Sequence, residues 1–114
     1  MPHLLFKGIA ADKLHAVCEP MAEELAALCQ CGTDNFTMEI ANCTVVFGAP
    51  EQETAYLFVE VAWFERGSDT RNAFAETVTR HLLKLGEADI EVAFRTYRED
   101  SYYINGLPYG DPEA

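Results

Sequence analysis

The sequence predicts an α+β domain of two layers, a four-stranded mixed sheet with two helices on one face. Three observations predict it. Apolar residues recur at helical spacing in two stretches, Ala11–Gln30 and the segment after Asp69. Each stretch lies between runs rich in β-branched and aromatic residues, so the order β-α-β occurs twice, over residues 2–47 and 55–97. The 114 residues suffice for one domain with a modest core, 1–114, but not for two. The repeat is one of structure, without convincing residue identity between the halves. Each half reads as a right-handed crossover between parallel strands.

In chain order, Leu4, Leu5 and Phe6 form a short strand that ends at Gly8. Leu14, Val17, Cys18, Met21, Leu25, Leu28 and Cys29 then trace one helical face, with Glu19, Glu23, Glu24 and Gln30 opposite. Pro20 removes a backbone bond inside this pattern, which predicts a kink there. Gly32 and Thr33-Asp34-Asn35 end the helix. Residues Phe36 to Phe47 read as extended, with a bulge near Asn42, and Gly48-Ala49-Pro50 closes the first half. Glu51 to Glu53 reads as a solvated acidic loop. Tyr56 to Glu65 is the strongest strand in the chain. After the turn Gly67-Ser68-Asp69, with Asp69 as expected N-cap, a second helix carries Phe74, Val78, His81, Leu82 and Leu85 and stops at Gly86. His81 on that apolar face reads as a satisfied core histidine. Ile90 to Tyr97 alternates as a fourth strand, and Tyr102-Tyr103-Ile104 before Asn105-Gly106 reads as a short strand and turn. The tail from Asp111 reads as frayed.

Hydrophobic residues make up 49% of the chain and charged residues 24%, the balance of a water-soluble globular domain. Apolar runs fall far short of a membrane span, and no basic segment precedes one of signal-peptide length, so the expected location is cytoplasmic. A net charge of −11 repels nucleic acid and anionic membranes, though placed arginines still admit a small anion. Cys18, Cys29, Cys31 and Cys43 lack metal-ligand spacing and read as reduced thiols. His3, His15 and His81 are scattered. No metal site and no cofactor is expected.

Two features point further. Leu57, Val59, Val61 and Trp63 alternate with Phe58, Glu60, Ala62 and Phe64, so both faces of the long strand are largely apolar. Two helices cover one face only, which leaves the other for symmetric closure with further copies of the chain. The second feature is Met1-Pro2-His3-Leu4. A methionine before proline is ordinarily excised, which would leave a free prolyl amine. An α-amino group titrates near ~8, and an apolar pocket lowers that value and yields a usable base. A structural reading stands beside this one: Pro2 fixes φ and opens a strand.

These residues, with Phe36-Thr37-Met38-Glu39, Phe58-Val59-Glu60-Val61-Ala62-Trp63-Phe64-Glu65-Arg66-Gly67 and Tyr102-Tyr103-Ile104-Asn105-Gly106, resemble the tautomerase/macrophage migration inhibitory factor (MIF) superfamily. The similarity covers nearly the whole chain and is greater to an uncharacterised bacterial branch of unknown function. It implies a homotrimer with a pocket at each subunit boundary and the N-terminal proline at the pocket's base. It further implies cofactor-independent keto–enol tautomerisation of a small keto or enol acid, with Pro2 as general base. By position, Arg66 would clamp the substrate carboxylate and Arg71 would be the second choice. Tyr103 would cap a neighbouring pocket or donate to an enolate, and Glu60 would orient the amine. Other roles stay open to each: a structural ion pair for Arg66, a solvated helix start for Arg71, an interface ring for Tyr103. Glu60 is open to a structural pair or a wet central channel. The basic residue that follows the first helix in cytokine-like members has no counterpart in Cys31-Gly32-Thr33-Asp34. The polar pair on their fourth strand falls near Glu91 and Ala93. The alternative to an enzyme is a non-catalytic trimeric binding or scaffold protein that keeps the fold.

Overall fold

The computed structural model describes residues 1–48 and 57–109. The first half contains β1 (His3–Lys7), α1 (Ala11–His15), α2 (Cys18–Cys29) and β2 (Thr37–Ile40). The second contains β3 (Leu57–Trp63), α3 (Ser68–Leu83) and β4 (Ile90–Thr96), and the hairpin β5 (Tyr103–Ile104) and β6 (Leu107–Pro108) follows. The main sheet has the order β2-β1-β3-β4. Within each half the strands are parallel, and the halves meet antiparallel where β1 pairs with β3. The architecture is the α+β, mixed-sheet arrangement that the repeated β-α-β pattern predicts.

The alternation in β3 is realised without exception. Leu57, Val59, Val61 and Trp63 are fully buried, and the residues between them are only half-buried. They join Leu4 and Phe6 of β1, Met21 and Leu25 of α2, and Phe74, Val78 and Leu82 of α3 in one core. Each such side chain contributes about 1.5–3 kcal/mol by leaving water. The opposite face carries Leu5, Phe58, Ala62 and Ala93, with Glu60, Glu91, Arg95 and His3 among them, and no helix among the described residues covers it.

Several boundaries differ from the sequence expectation. The first helical stretch breaks at Ala16–Val17, where Val17 takes φ −127°, rather than kinking at Pro20. Pro20 is instead the third residue of α2, where an N–H has no intrahelical partner to lose. The end of α2 is set by Gln30 in the left-handed region (φ 55°), with the Cys31 N–H bonded to the Ala26 carbonyl at 3.0 Å, and not by Gly32. β2 stops at Ile40, so the extended run to Phe47 and the bulge at Asn42 do not form. The reason lies in its partner. Gly8 turns β1 away with φ 91°, and the Ala41 N–H to Phe6 carbonyl bond of 2.9 Å is the last rung available. The N-cap of α3 is Gly67, and Asp69 sits in the first turn. Phe64, expected on the open face, lies past the end of β3 under Tyr102 and Tyr109, at centroid distances of 5.1 and 4.9 Å. The Asn105-Gly106 turn has φ 53° and 81°, the two positive values of a type I′ hairpin. Ala49-Pro50, the acidic segment Glu51–Glu53, Tyr56 and the tail from Asp111 lie outside the described residues. Among the described residues, no helix is long and apolar enough to cross a membrane.

Candidate functional site

One end of the sheet gathers the start of β1, the end of β3, the last turn of α2 and the first turn of α3. Pro2 stands there with its side chain fully buried and its carbonyl accepting the Thr37 N–H at 3.3 Å. Even-numbered residues of β1 face the helices, so Pro2 belongs to the core side. One step beyond the pair His3–Ala62 the register sets Pro2 level with Trp63, and one step before His3–Thr37 it sets Pro2 level with Phe36. Both of those rings meet Phe74, at 6.4 Å for Phe36 and 5.3 Å for Trp63. The surroundings of Pro2 are therefore apolar and aromatic, the type of environment that disfavours a charged amine.

Arg66 follows β3 by three residues and folds back over it. Its Nη1 donates to the Phe64 carbonyl at 2.8 Å, and its guanidinium carbon lies 5.3 Å from the centre of the Trp63 ring. The side chain lines a cleft of about 310 Å³ with Leu28, Cys29, Gln30 and Thr70, a volume at the lower end of small-ligand sites. Among the described residues no carboxylate pairs with Arg66. Burial pushes the Cys29 thiol up, against the pull of Arg66, so the cleft wall beside the guanidinium is a neutral thiol at pH 7. A larger groove of about 400 Å³ between α3 and β4 is lined by Ala75, Leu83, Ile90 and Val92, and its Arg80 is already engaged by Glu24.

Pro2 is at the same end of the sheet but does not line this cleft, and the other residues singled out from the sequence lie apart from it. Arg71 pairs with Glu65, whose carboxylate also accepts the Gly67 N–H at 3.0 Å, so Arg71 fastens the entry to α3. Tyr103 is 60% exposed on the hairpin, opposite Pro108, and does not line the cleft of its own chain. Glu60 faces away from the helices, level with Leu5 and Ala93, and its carboxylate meets Arg95 at 3.5 Å. Leu5, the partner of Glu60 in β1, is three residues along the strand from Pro2, and the residue level with Pro2 by register is Trp63. His81 is 3% exposed and its Nε2 meets Glu24 at 2.8 Å, the satisfied core histidine expected. The sequence reading missed Trp63, Gln30, Cys29 and Thr70 as neighbours of Arg66. Only Trp63 carried a signal, as the large ring three residues before an arginine.

A family model described as "Domain of unknown function (DUF1904)" matches residues 1–108. The chain belongs to the DUF1904 family. A comparison with curated protein sequences finds no significant match. A DUF1904 domain from Sebaldella termitidis ATCC 33386 is 30% identical, with a TM-score of 0.82 over 94% of this chain and 98% of that one. A macrophage migration inhibitory factor homologue from Prochlorococcus marinus has a TM-score of 0.73 at 18% identity, covering 96% of this chain and 100% of the other. A fused 4-OT solved as an asymmetric trimer has a TM-score of 0.79 at 9% identity, over 95% and 96%. The DUF1904 chain thus has the tautomerase/MIF fold, as its N-terminal and β3 segments suggested.

Proposed function

We propose that the DUF1904 chain is a cytoplasmic, cofactor-independent keto–enol tautomerase of a small 2-oxo acid, with Pro2 as general base once Met1 is excised. The observation that carries this reading is the placement of buried Pro2 at the same sheet end as Arg66 and its cleft. The apolar neighbours of Pro2 favour a neutral amine, and a base near neutrality contributes about 10²–10⁴ in rate. Arg66 holds the carboxylate, and its planar fork matches two oxygens at once. The neutral prolyl nitrogen takes the proton from the carbon beside the keto group and the electron pair moves to oxygen. The resulting prolinium gives that proton to the enolate oxygen, so the nitrogen is neutral again and the net change is keto-to-enol isomerisation; ketonisation runs the same two transfers in reverse. Tyr103, exposed on its own chain, would enter a neighbour's cleft in a homotrimer closed through the open sheet face.

The test has two stages. Intact mass of native protein is expected to show the chain without Met1, since an acylated proline has no basic nitrogen. Ketonisation of an enol acid is then expected to fall at least a hundredfold in Pro2→Ala. Retained Met1, or equal rates, would overturn the enzyme reading. The rival, a non-catalytic trimeric binding or scaffold protein, is favoured by Leu5, Phe58, Ala62 and Ala93, whose uncovered face needs a partner whether or not chemistry survives.

A further inference from the structure

Trp63 is fully buried, and its Nε1 is the one buried side-chain nitrogen or oxygen among the described residues without a hydrogen-bond partner. Buried tryptophans ordinarily find an acceptor for this N–H, because leaving it unmade is costly. The ring is held from the core side by Phe74 at 5.3 Å and Phe94 at 4.7 Å, so the donor is fixed in place. Arg66 lies across the ring at 5.3 Å and spends one N–H on Phe64, out of the five that a guanidinium carries. Two side chains in contact thus each keep a donor with no anionic partner among the described residues, in a chain of net charge −11, and Trp63 lies behind Arg66 rather than in the lining of the cleft.

We infer that the Trp63 indole N–H is a substrate-binding donor, which donates to one oxygen of a small carboxylate as Arg66 binds it. The inference rests on the reading of Arg66 as the carboxylate clamp and adds a second, uncharged contact to it. A guanidinium laid over an indole brings the rims of both planes within reach of one planar anion, and a carboxylate supplies the two oxygens needed. The neighbouring Cys29 thiol is neutral and does not repel the ligand. Because Arg66 lies over the indole, the ligand enters through the cleft that Arg66 lines, and the guanidinium shifts as it binds.

The chain has a single tryptophan, so its indole N–H gives one signal in a ¹H–¹⁵N spectrum. Titration of the full-length mature chain with pyruvate is expected to move that signal downfield and saturably. Methyl pyruvate, which lacks the charge, is expected to leave it in place. Replacing the single tryptophan with benzothienylalanine deletes the N–H and keeps the ring, and is expected to weaken pyruvate binding about tenfold or more by calorimetry. Trp63→Phe serves as the genetic counterpart. An unmoved indole signal at a pyruvate concentration that saturates calorimetric binding would overturn the inference, and would mean that the N–H rests on a ring face of Phe74 or Phe94. Enol-acid turnover that is lost in Pro2→Ala would then leave the tautomerase reading standing. Absence of both pyruvate binding and Pro2-dependent turnover would remove the two together.

Discussion

At Arg66 one guanidinium caps a carbonyl, lies over the indole and lines the cleft. Arg66→Leu removes all three contacts, yet its structural share is limited to one hydrogen bond and one cation–π contact, about 1–3 kcal/mol together. Under the tautomerase reading, the expected outcome is a KM for a 2-oxo acid raised about tenfold to a hundredfold, with a cooperative melt retained in thermal denaturation. A variant that binds the acid as well as wild type would remove Arg66 from the site. Arg66 was legible because it closes a motif. Trp63 was not, because a buried alternating aromatic looks like core until the orphaned N–H is seen. Glu60 shows the converse: interruption of an apolar strand marked it as unusual, but only pairing register reveals that it lies level with Leu5 rather than with Pro2.

The helices were found by their apolar spacing, and their ends were misplaced where backbone geometry outweighed side-chain type. Gly67 illustrates this. It caps α3 at φ 94° and ψ 159°, a region open to glycine almost alone, so the aspartate two residues later was not needed as a cap. A Cβ at Gly67 meets no atom within 4 Å, which isolates backbone strain as the cost. Gly67→Ala is expected to lose about 1–3 kcal/mol in urea denaturation. Between α2 and α3, Glu24 accepts from Arg80 at 2.7 and 3.3 Å and meets His81 at 2.8 Å. The Arg80 hydrogen bonds, and then that of His81, pull the Glu24 carboxyl down to about 2. A carboxyl lowered on folding stabilises the fold above its ordinary value near 4.5 and loses that contribution as pH falls toward 2. In Glu24→Gln, the slope of stability against pH over that window is expected to flatten in chemical denaturation series. An unchanged slope would show that the clamp carries no net stabilisation.

At the scale of the whole molecule, the two-layer count in the sequence correctly left one sheet face without helices, because apolar alternation reports burial on each side separately. Phe58→Asp replaces an apolar side chain of that face with a charge and, under the trimer proposal, is expected to give monomers by light scattering. A wild-type chain already monomeric at micromolar concentration would end the trimer proposal. The order β2-β1-β3-β4 has a consequence in time. β1 leaves the ribosome first, yet its antiparallel neighbour is β3, so Leu5 has no Glu60 beside it until the second half is made. At common rates of synthesis that delay is on the order of several seconds. During it the side of β1 that β3 will cover is open, whereas in the finished fold Pro2 is buried. Under the tautomerase reading, excision of Met1 would then have to precede the closure of β3 over β1. A chain refolded from a Met1-bearing precursor would carry its proline sealed as an amide, while one trimmed during synthesis would carry the amine.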